Sequence, residues 1–116
     1  MVVEASKVIN LTPHAVTLVN ADGSPLMTIA PSGNLARVSA RTVVVGTLKI
    51  GDVTVPITKT EMDEVTGLPD QQDGVVLIVS LAVAQRVPDR TDVMIPNESI
   101  RDSQGCIAGC KSVAYV

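Results

Sequence analysis

"GVVLIVSLAVAQRVPDR", residues 74–90, carries the most decisive fold information in the chain. Val75 to Val79 are five aliphatic residues without a polar break, the pattern of a strand buried on both faces. Ser80 then stands where a helix N-cap would, and helix-compatible residues run from Leu81 to about Val87, where Pro88 ends them. A doubly buried strand that feeds a short helix belongs in the middle of a sheet. The expected class is α+β: a single compact domain over residues 1–116, with a mainly mixed or antiparallel β-sheet. One or two short helices complete it, the main one at about 81–87.

The residues on either side extend this reading. "VIN" and "AVTLVN" predict strands at 7–10 and 15–20, separated by "LTPH", where Pro13 biases Thr12 away from the α region. "NADGSP" at 20–25 predicts a hairpin turn into "LMTIA", and "PSGN" at 31–34 a second turn. Residues 35–50 read as strand with a break near Gly46. "GDVTVPITKT" alternates at Val53, Val55 and Ile57, which predicts one half-buried face, while Pro56 predicts an edge or a bulge. The acid-rich "EMDEVTGLPDQQDG", 61–74, is expected as a solvated surface loop or a helical turn capped by Thr60. "DVMIP" and "CIAGCKSVAYV" add one or two strands near the C-terminus.

Composition fixes the kind of core. Of the 116 residues 46% are hydrophobic, yet Phe and Trp are absent and Tyr115 is the one aromatic ring. The core is therefore aliphatic, with Val its commonest member, and β-branched side chains favour a pleated surface. A formal charge of −3 argues against a protein that coats nucleic acid, because such affinity comes chiefly from Lys and Arg on phosphates. No run approaches the roughly eighteen apolar residues that span a bilayer, and "MVVEASK" lacks the basic and apolar regions of a secretory signal. The expectation is a soluble, cytoplasmic protein with no membrane partner. The high aliphatic fraction also admits a homo-oligomer that covers exposed apolar patches.

Four stretches, "INLTPHAVTLVNADG", "EVTGLPDQQDGVVLIVS", "VAQRVPDRTDVMIP" and "IRDSQGCIAGC", give most of the chain a family likeness. The sequence resembles a group of small proteins encoded by bacteriophages and prophages. That resemblance implies a phage or prophage source, and hence the cytoplasm of a host cell. It also implies an accessory role of the kind that disarms host immunity, since some small phage proteins bind or cleave cyclic-nucleotide-type signals. It carries over no functional residue.

Candidate chemistry is sparse. His14 is the natural general acid or base, because imidazole is the side chain that ordinarily titrates near neutral pH, and Asn10 and Thr12 lie close to it. The simpler reading of "LTPH" is a turn whose imidazole bonds a backbone carbonyl. Arg90 lies between Asp89 and Asp92, which suggests an ion pair that fixes a loop, although guanidinium also suits phosphate. Arg101 and Arg37 are further cationic candidates, with Arg86 in the same part of the chain as Arg90. Ser80 could face an anion at the end of the buried strand, but capping is its default role. It is no nucleophile elbow, because Val79 and Leu81 flank it and no glycine stands two positions either side.

Cys106 and Cys110, spaced C-x-x-x-C, would lie roughly 13 Å apart along a strand, too far for a disulfide. With one imidazole in the chain a zinc set is not completed either, so buried thiols are expected and no metal or other cofactor. "PSGNLAR" lacks the glycines and the Lys-Ser/Thr ending of a P-loop.

Three functions from different classes fit these residues. The first is a non-catalytic binder of a small nucleotide-like ligand or a host factor, using His14, Asn10, Thr12, Ser80, Arg90 or Arg101. The second is a small phosphodiesterase-like enzyme acting through His14, and the third a structural or assembly protein of the phage particle. Scarcity of catalytic residue types favours binding over catalysis.

Overall fold

The computed structural model describes residues 1–105 and 107–116. Eight strands and one helix follow in the order β1 (Lys7–Asn10), β2 (Val16–Val19), β3 (Pro25–Ile29), β4 (Arg37–Ile50), β5 (Val53–Thr66), β6 (Val75–Ile78), α1 (Leu81–Arg86), β7 (Val93–Arg101) and β8 (Ile107–Ala114). Six strands form one mixed sheet in the order β1-β6-β7-β8-β2-β3, and β4 pairs with β5 alone. The mainly β architecture with one short helix agrees with the sequence. No helix among the described residues is long and apolar enough to cross a membrane.

β6 is where the 74–90 stretch predicts it. It lies between β1 and β7 and is parallel to both, with Asn10 level with Ile78 and Ile78 level with Met94. Parallel neighbours need a crossover of about a dozen residues or more, and α1 with its flanking turns supplies it between β6 and β7. Val76 to Val79 are all buried, as a strand covered on both faces requires.

Two apolar layers result. On one face Leu77, Val79 and Val93 pack with Leu11, Ala36 and the α1 residues Val83 and Ala84. On the other, Val76, Ile78 and Met94 pack with Val16 and Cys110, flanked by Val8, Leu18 and Ile29. The sheet also curls. β3, at the far end of the strand order, returns beside β1, where Pro31 bridges to Asn10 and the Ser32 N–H donates to the Asn10 carbonyl.

β4 and β5 form a long arm, closed by the two-residue turn Gly51-Asp52 with Gly51 at φ 59°. At 3.4 Å per residue, strands of this length reach about 45 Å. Among the described residues only the arm's root, at Val38 and Val65, packs against the body's core. The molecule accordingly measures 59 × 39 × 29 Å, with a radius of gyration of 18.5 Å. A compact chain of this length would have a radius near 13 Å. The compact domain expected from sequence therefore describes the body, with the arm standing outside it.

Gly67 fixes the junction. Its φ is +80°, and a Cβ there would lie 2.1 Å from the Leu35 carbonyl oxygen, so the chain leaving β5 can press on the chain entering β4 only without a side chain.

Two sequence expectations fail in the arm. Residues 61–66 continue β5 and do not form the expected loop or helical turn. An arm with solvent on both sides needs no apolar alternation, so acidic residues sit in its strand without cost. Val53, Val55 and Ile57 do share a face, but that face is exposed in the single chain. Pro56 stands as expected in a strand with a free edge and close to a bulge, the register shifting between Val44 and Gly46.

Candidate functional site at the carboxyl ends of the parallel strands

β1, β6 and β7 run parallel, so their carboxyl ends open along one edge of the sheet. In sheets of this kind that edge is where connections diverge and leave a crevice. Here the crevice is a pocket of about 250 Å³. Thr12, His14, Ala15, Val16 and Thr17 wall it on the β1–β2 side. Pro96 and Ser99 of β7 and Ile107 to Cys110 of β8 close the other.

Asn10 builds the near wall. It is the most deeply buried polar residue of the body, 1% exposed, and its amide is fully engaged. Nδ2 donates to the carbonyls of His14 (2.8 Å) and Ile29 (3.1 Å). Oδ1 accepts from the Thr12 backbone N–H (3.0 Å) and from the Thr12 hydroxyl (2.6 Å). Thr12 Oγ1 also lies 2.9 Å from the His14 carbonyl. The "NLTPH" turn is thus held from inside by one amide, and His14 contributes its backbone carbonyl to that network. Its imidazole is left exposed at the pocket rim, with no hydrogen bond from the ring described. The expected bond from the imidazole to a carbonyl is not among the described hydrogen bonds; the contact made is with the carbonyl of His14 itself, which accepts from Asn10 and Thr12.

The far wall depends on Gly109. A Cβ there would lie 2.7 Å from Val19 Cγ1 and 3.0 Å from the Thr17 carbonyl oxygen, so β8 can approach β2 only without a side chain at that position. Cys110 is buried beside it, with Sγ donating to the Thr17 carbonyl at 3.6 Å, and burial pushes its thiol pKa up. It is the buried thiol expected. Cys106 lies outside the described residues. Glu98, next to the pocket residue Ser99, takes φ 54°, a conformation that costs a non-glycine residue about 1 kcal/mol.

The other candidates are dispersed. Arg90 forms a two-pronged pair with buried Asp92, Nε to Oδ1 at 2.8 Å and Nη2 to Oδ2 at 2.7 Å. Nη2 also donates to the Pro69 carbonyl at 2.9 Å. The Arg90 hydrogen bonds hold the Asp92 carboxyl below its usual range against the opposing effect of burial, and Asp92 raises Arg90 in turn. The pair ties the 67–74 connection to the start of β7. Arg101 Nη1 donates to the Gly105 carbonyl at 2.7 Å and closes the turn that precedes β8. Ser80 occupies the N-cap position without a side-chain cap bond, exposed at the end of β6. Arg37 roots the arm and Arg86 ends α1.

The fold thus assembles Asn10, Thr12 and His14, and leaves Arg90 and Arg101 in structural contacts. Thr17, Pro96, Ser99 and Ala108, which complete the pocket, gave no sequence signal. They meet His14 through the strand order β7-β8-β2, which no local pattern encodes.

A second cavity of about 350 Å³ opens on the same face of the curled sheet, lined by Val8, Leu18, Ile29, Val76, Ile78 and Met94 and rimmed by Met1, Val3 and Tyr115. It offers area but almost no polar group to orient a ligand. Among the described residues no group of three His, Cys, Asp or Glu side chains is placed to hold a metal ion. No family model, curated protein or solved structure matches the chain.

Proposed function

We propose that the chain is a phage or prophage accessory protein that binds, without cleaving, a small nucleotide-like ligand. The ligand's ring sits in the pocket beside His14. One observation carries the reading: His14 faces an open pocket whose described lining contains no carboxylate, guanidinium or ammonium group to share catalysis with it. A phosphodiesterase would also need Thr12 or Asn10 as partner, and both are occupied with each other and with the His14 carbonyl. What remains is a recognition surface. Val16, Ile107 and Pro96 offer a ring apolar contact, while Thr12, Thr17, Ser99 and the imidazole offer donors and acceptors at its edge. About 250 Å³ is small for a whole nucleotide and suits one heterocycle, with phosphates left at the opening. In a host cell, capture of a signalling nucleotide in this manner would be an anti-defence activity.

Native mass spectrometry of the protein with a panel of cyclic and linear nucleotides tests the reading. A retained adduct of unchanged ligand mass is expected, weakened by Ser99→Trp, which fills the pocket. Bare protein across the panel would remove the ligand and turn attention to a host protein. Release of a product mass that disappears with His14→Ala would replace binding with catalysis.

A further inference from the structure

The six-stranded sheet curls until its two edge strands face each other, but it does not close. β1 and β3 stand at opposite ends of the strand order, and the pair directions through β6, β7, β8 and β2 make β3 parallel to β1. They meet at the bridge between Asn10 and Pro31 and, among the described residues, pair nowhere nearer their N-terminal ends. There an open gap separates them, walled by Ala5 to Val8 on one side and Met27 to Ala30 on the other. None of these residues lines the pocket beside His14.

Main-chain alternation decides what the gap offers. The Lys7 N–H donates to the Gly74 carbonyl and the Leu11 N–H to the Ile78 carbonyl, so every second residue of β1 turns its peptide groups toward β6. Val8 and Asn10 turn theirs the other way, and the Asn10 carbonyl accepts from the Ser32 N–H. On the facing side, Thr17 of β2 turns its carbonyl to β8, where it accepts from Cys110 Sγ. Its opposite residue Thr28 therefore turns its own peptide groups away from β2 and into the gap. Thr17 and Thr28 are a pair of the closer, non-hydrogen-bonded kind, and their hydroxyls meet at 3.1 Å. The N–H and C=O of Val8 and of Thr28 thus face each other across open space.

We propose that the gap receives an extended segment of another protein as a seventh strand, bonded through its main chain to Val8 on one edge and Thr28 on the other. Two facing strand edges call for donors and acceptors that alternate along both sides of the occupant, and an extended polypeptide supplies them. Size agrees. The gap encloses about 520 Å³, and four extended residues, about 3.3 Å each in a slot about 4.8 by 10 Å, take up about 600 Å³. Val8 and Ile29 line both the gap and the aliphatic cavity of the inner face, so every second side chain of the segment meets Val, Leu, Ile and Met and is apolar. Its other side chains stand outside with Lys7 and Thr28 and are polar. The segment comes from a different protein because an inserted strand needs both of its edges free. Among the described residues β4 and β5 each spend one edge on the other, and every other strand is part of the sheet. Residues 1–5 already have a place, with Met1 and Val3 at the cavity rim. Insertion closes the sheet into a barrel and removes both edges.

The probe is a fluorescein-labelled, end-blocked peptide of alternating valine and threonine with a glutamate at each end, titrated into the full chain and followed by anisotropy. Saturable binding with a Kd below about 1 mM is expected, and hydrogen exchange should show the Val8 and Thr28 amides gaining protection. The same peptide methylated at alternate main-chain nitrogens loses the donors of one edge and should bind at least tenfold more weakly. Thr28→Pro removes a gap-facing N–H and no bond to β2, a substitution a sheet edge tolerates, and should also weaken binding at least tenfold. Thr28→Ala gives up the hydroxyl contact with Thr17 but keeps the N–H, and should bind within about twofold of the wild type. No binding at about 1 mM peptide would overturn the proposal, as would a methylated peptide that binds equally well or a Thr28→Ala protein as impaired as Thr28→Pro. So would a Thr28→Pro protein that binds like the wild type. Val8 and Thr28 amides already protected without peptide would overturn it too. The occupant would then be a second copy if the mass is twice 12.1 kDa, and residues 1–5 of the same chain if it is not. If Thr28→Pro strips protection from β6, the methylated peptide decides.

Discussion

The body and the arm are made of the same residues, chiefly Val, Ile, Leu and Thr, yet they use them in opposite ways. In the body, Leu77 and Val79 are buried under α1 on one side of β6 and Val76 and Ile78 are buried on the other. In the arm, Leu48 and Val53 stand in water. Apolar side chains do not choose burial one at a time; a strand is buried only when neighbours exist on the face it presents. β6 has two paired neighbours and a helix, whereas among the described residues β4 and β5 pair only with each other and meet the body only at their root.

The sharpest way to break this comparison is to make one substitution in both regions. Leu77→Ala removes a side chain that is 1% exposed and should cost about 4 kcal/mol in global stability, measured by urea unfolding. Leu48→Ala should change the opening free energy of the β6 amides, read by hydrogen exchange, by less than about 0.5 kcal/mol. Similar losses at the two sites would show that arm and body unfold as one unit.

Next in size is Asn10→Ala. It deprives the His14 and Ile29 carbonyls and the Thr12 N–H of their partner at the point where the sheet curls back on itself. Buried groups left unpaired each cost about 1–3 kcal/mol, and a total of about 3 kcal/mol is expected by thermal unfolding. The β2–β3 amides should lose protection before those of β6.

Asp92 distinguishes the regions by pH. Its carboxyl titrates lower in the folded chain than in the unfolded one, so its contribution is present above about pH 4 and is lost as pH falls through the folded value. Asp92→Asn should lower stability by about 1–2 kcal/mol at neutral pH and flatten the acid limb of the stability curve. A wild-type limb no steeper than the variant's would remove Arg90–Asp92 as its cause.

The smallest effect belongs to the arm's own ion pair. Arg41 and Glu61 meet at 3.1 Å, Arg41 exposed and Glu61 half-buried, and Arg41→Ala should cost about 0–0.5 kcal/mol by chemical denaturation.

What was legible in the sequence follows the same division. β6, α1, the hairpin at 20–25 and the strand on either side of "LTPH" each announce themselves within a few residues, because burial on both faces, Pro88, Asp22-Gly23 and Pro13 act locally. The ion pair of Arg90 was legible too, since its partner is two residues away. The arm was not. Alternation at Val53, Val55 and Ile57 promised a buried face, but pairing of 37–50 with 53–66 leaves that face open, and the acidic 61–66 segment reads as loop. The pocket was half legible: Asn10, Thr12 and His14 are neighbours in sequence, whereas Ser99 and Gly109 reach them through strand order alone.

The junction at Gly67 has a consequence in the language of descent. Arg37 and Thr66 face each other across the arm's root, so the excursion returns to where it began, and to the body residues 39–64, beyond the packed Val38 and Val65, are an insertion. Its length can drift without disturbing a single residue of the six-stranded sheet. The drift is quantised. Adding or removing two residues from each strand lengthens or shortens the arm and keeps Leu48, Val53, Val55 and Ile57 on one face, but a one-residue slip turns them to the face of Thr47 and Thr54. Variants of this chain should therefore differ in arm length by matched, even steps, with the Leu35–Gly67 contact kept as the hinge on which each arm is hung.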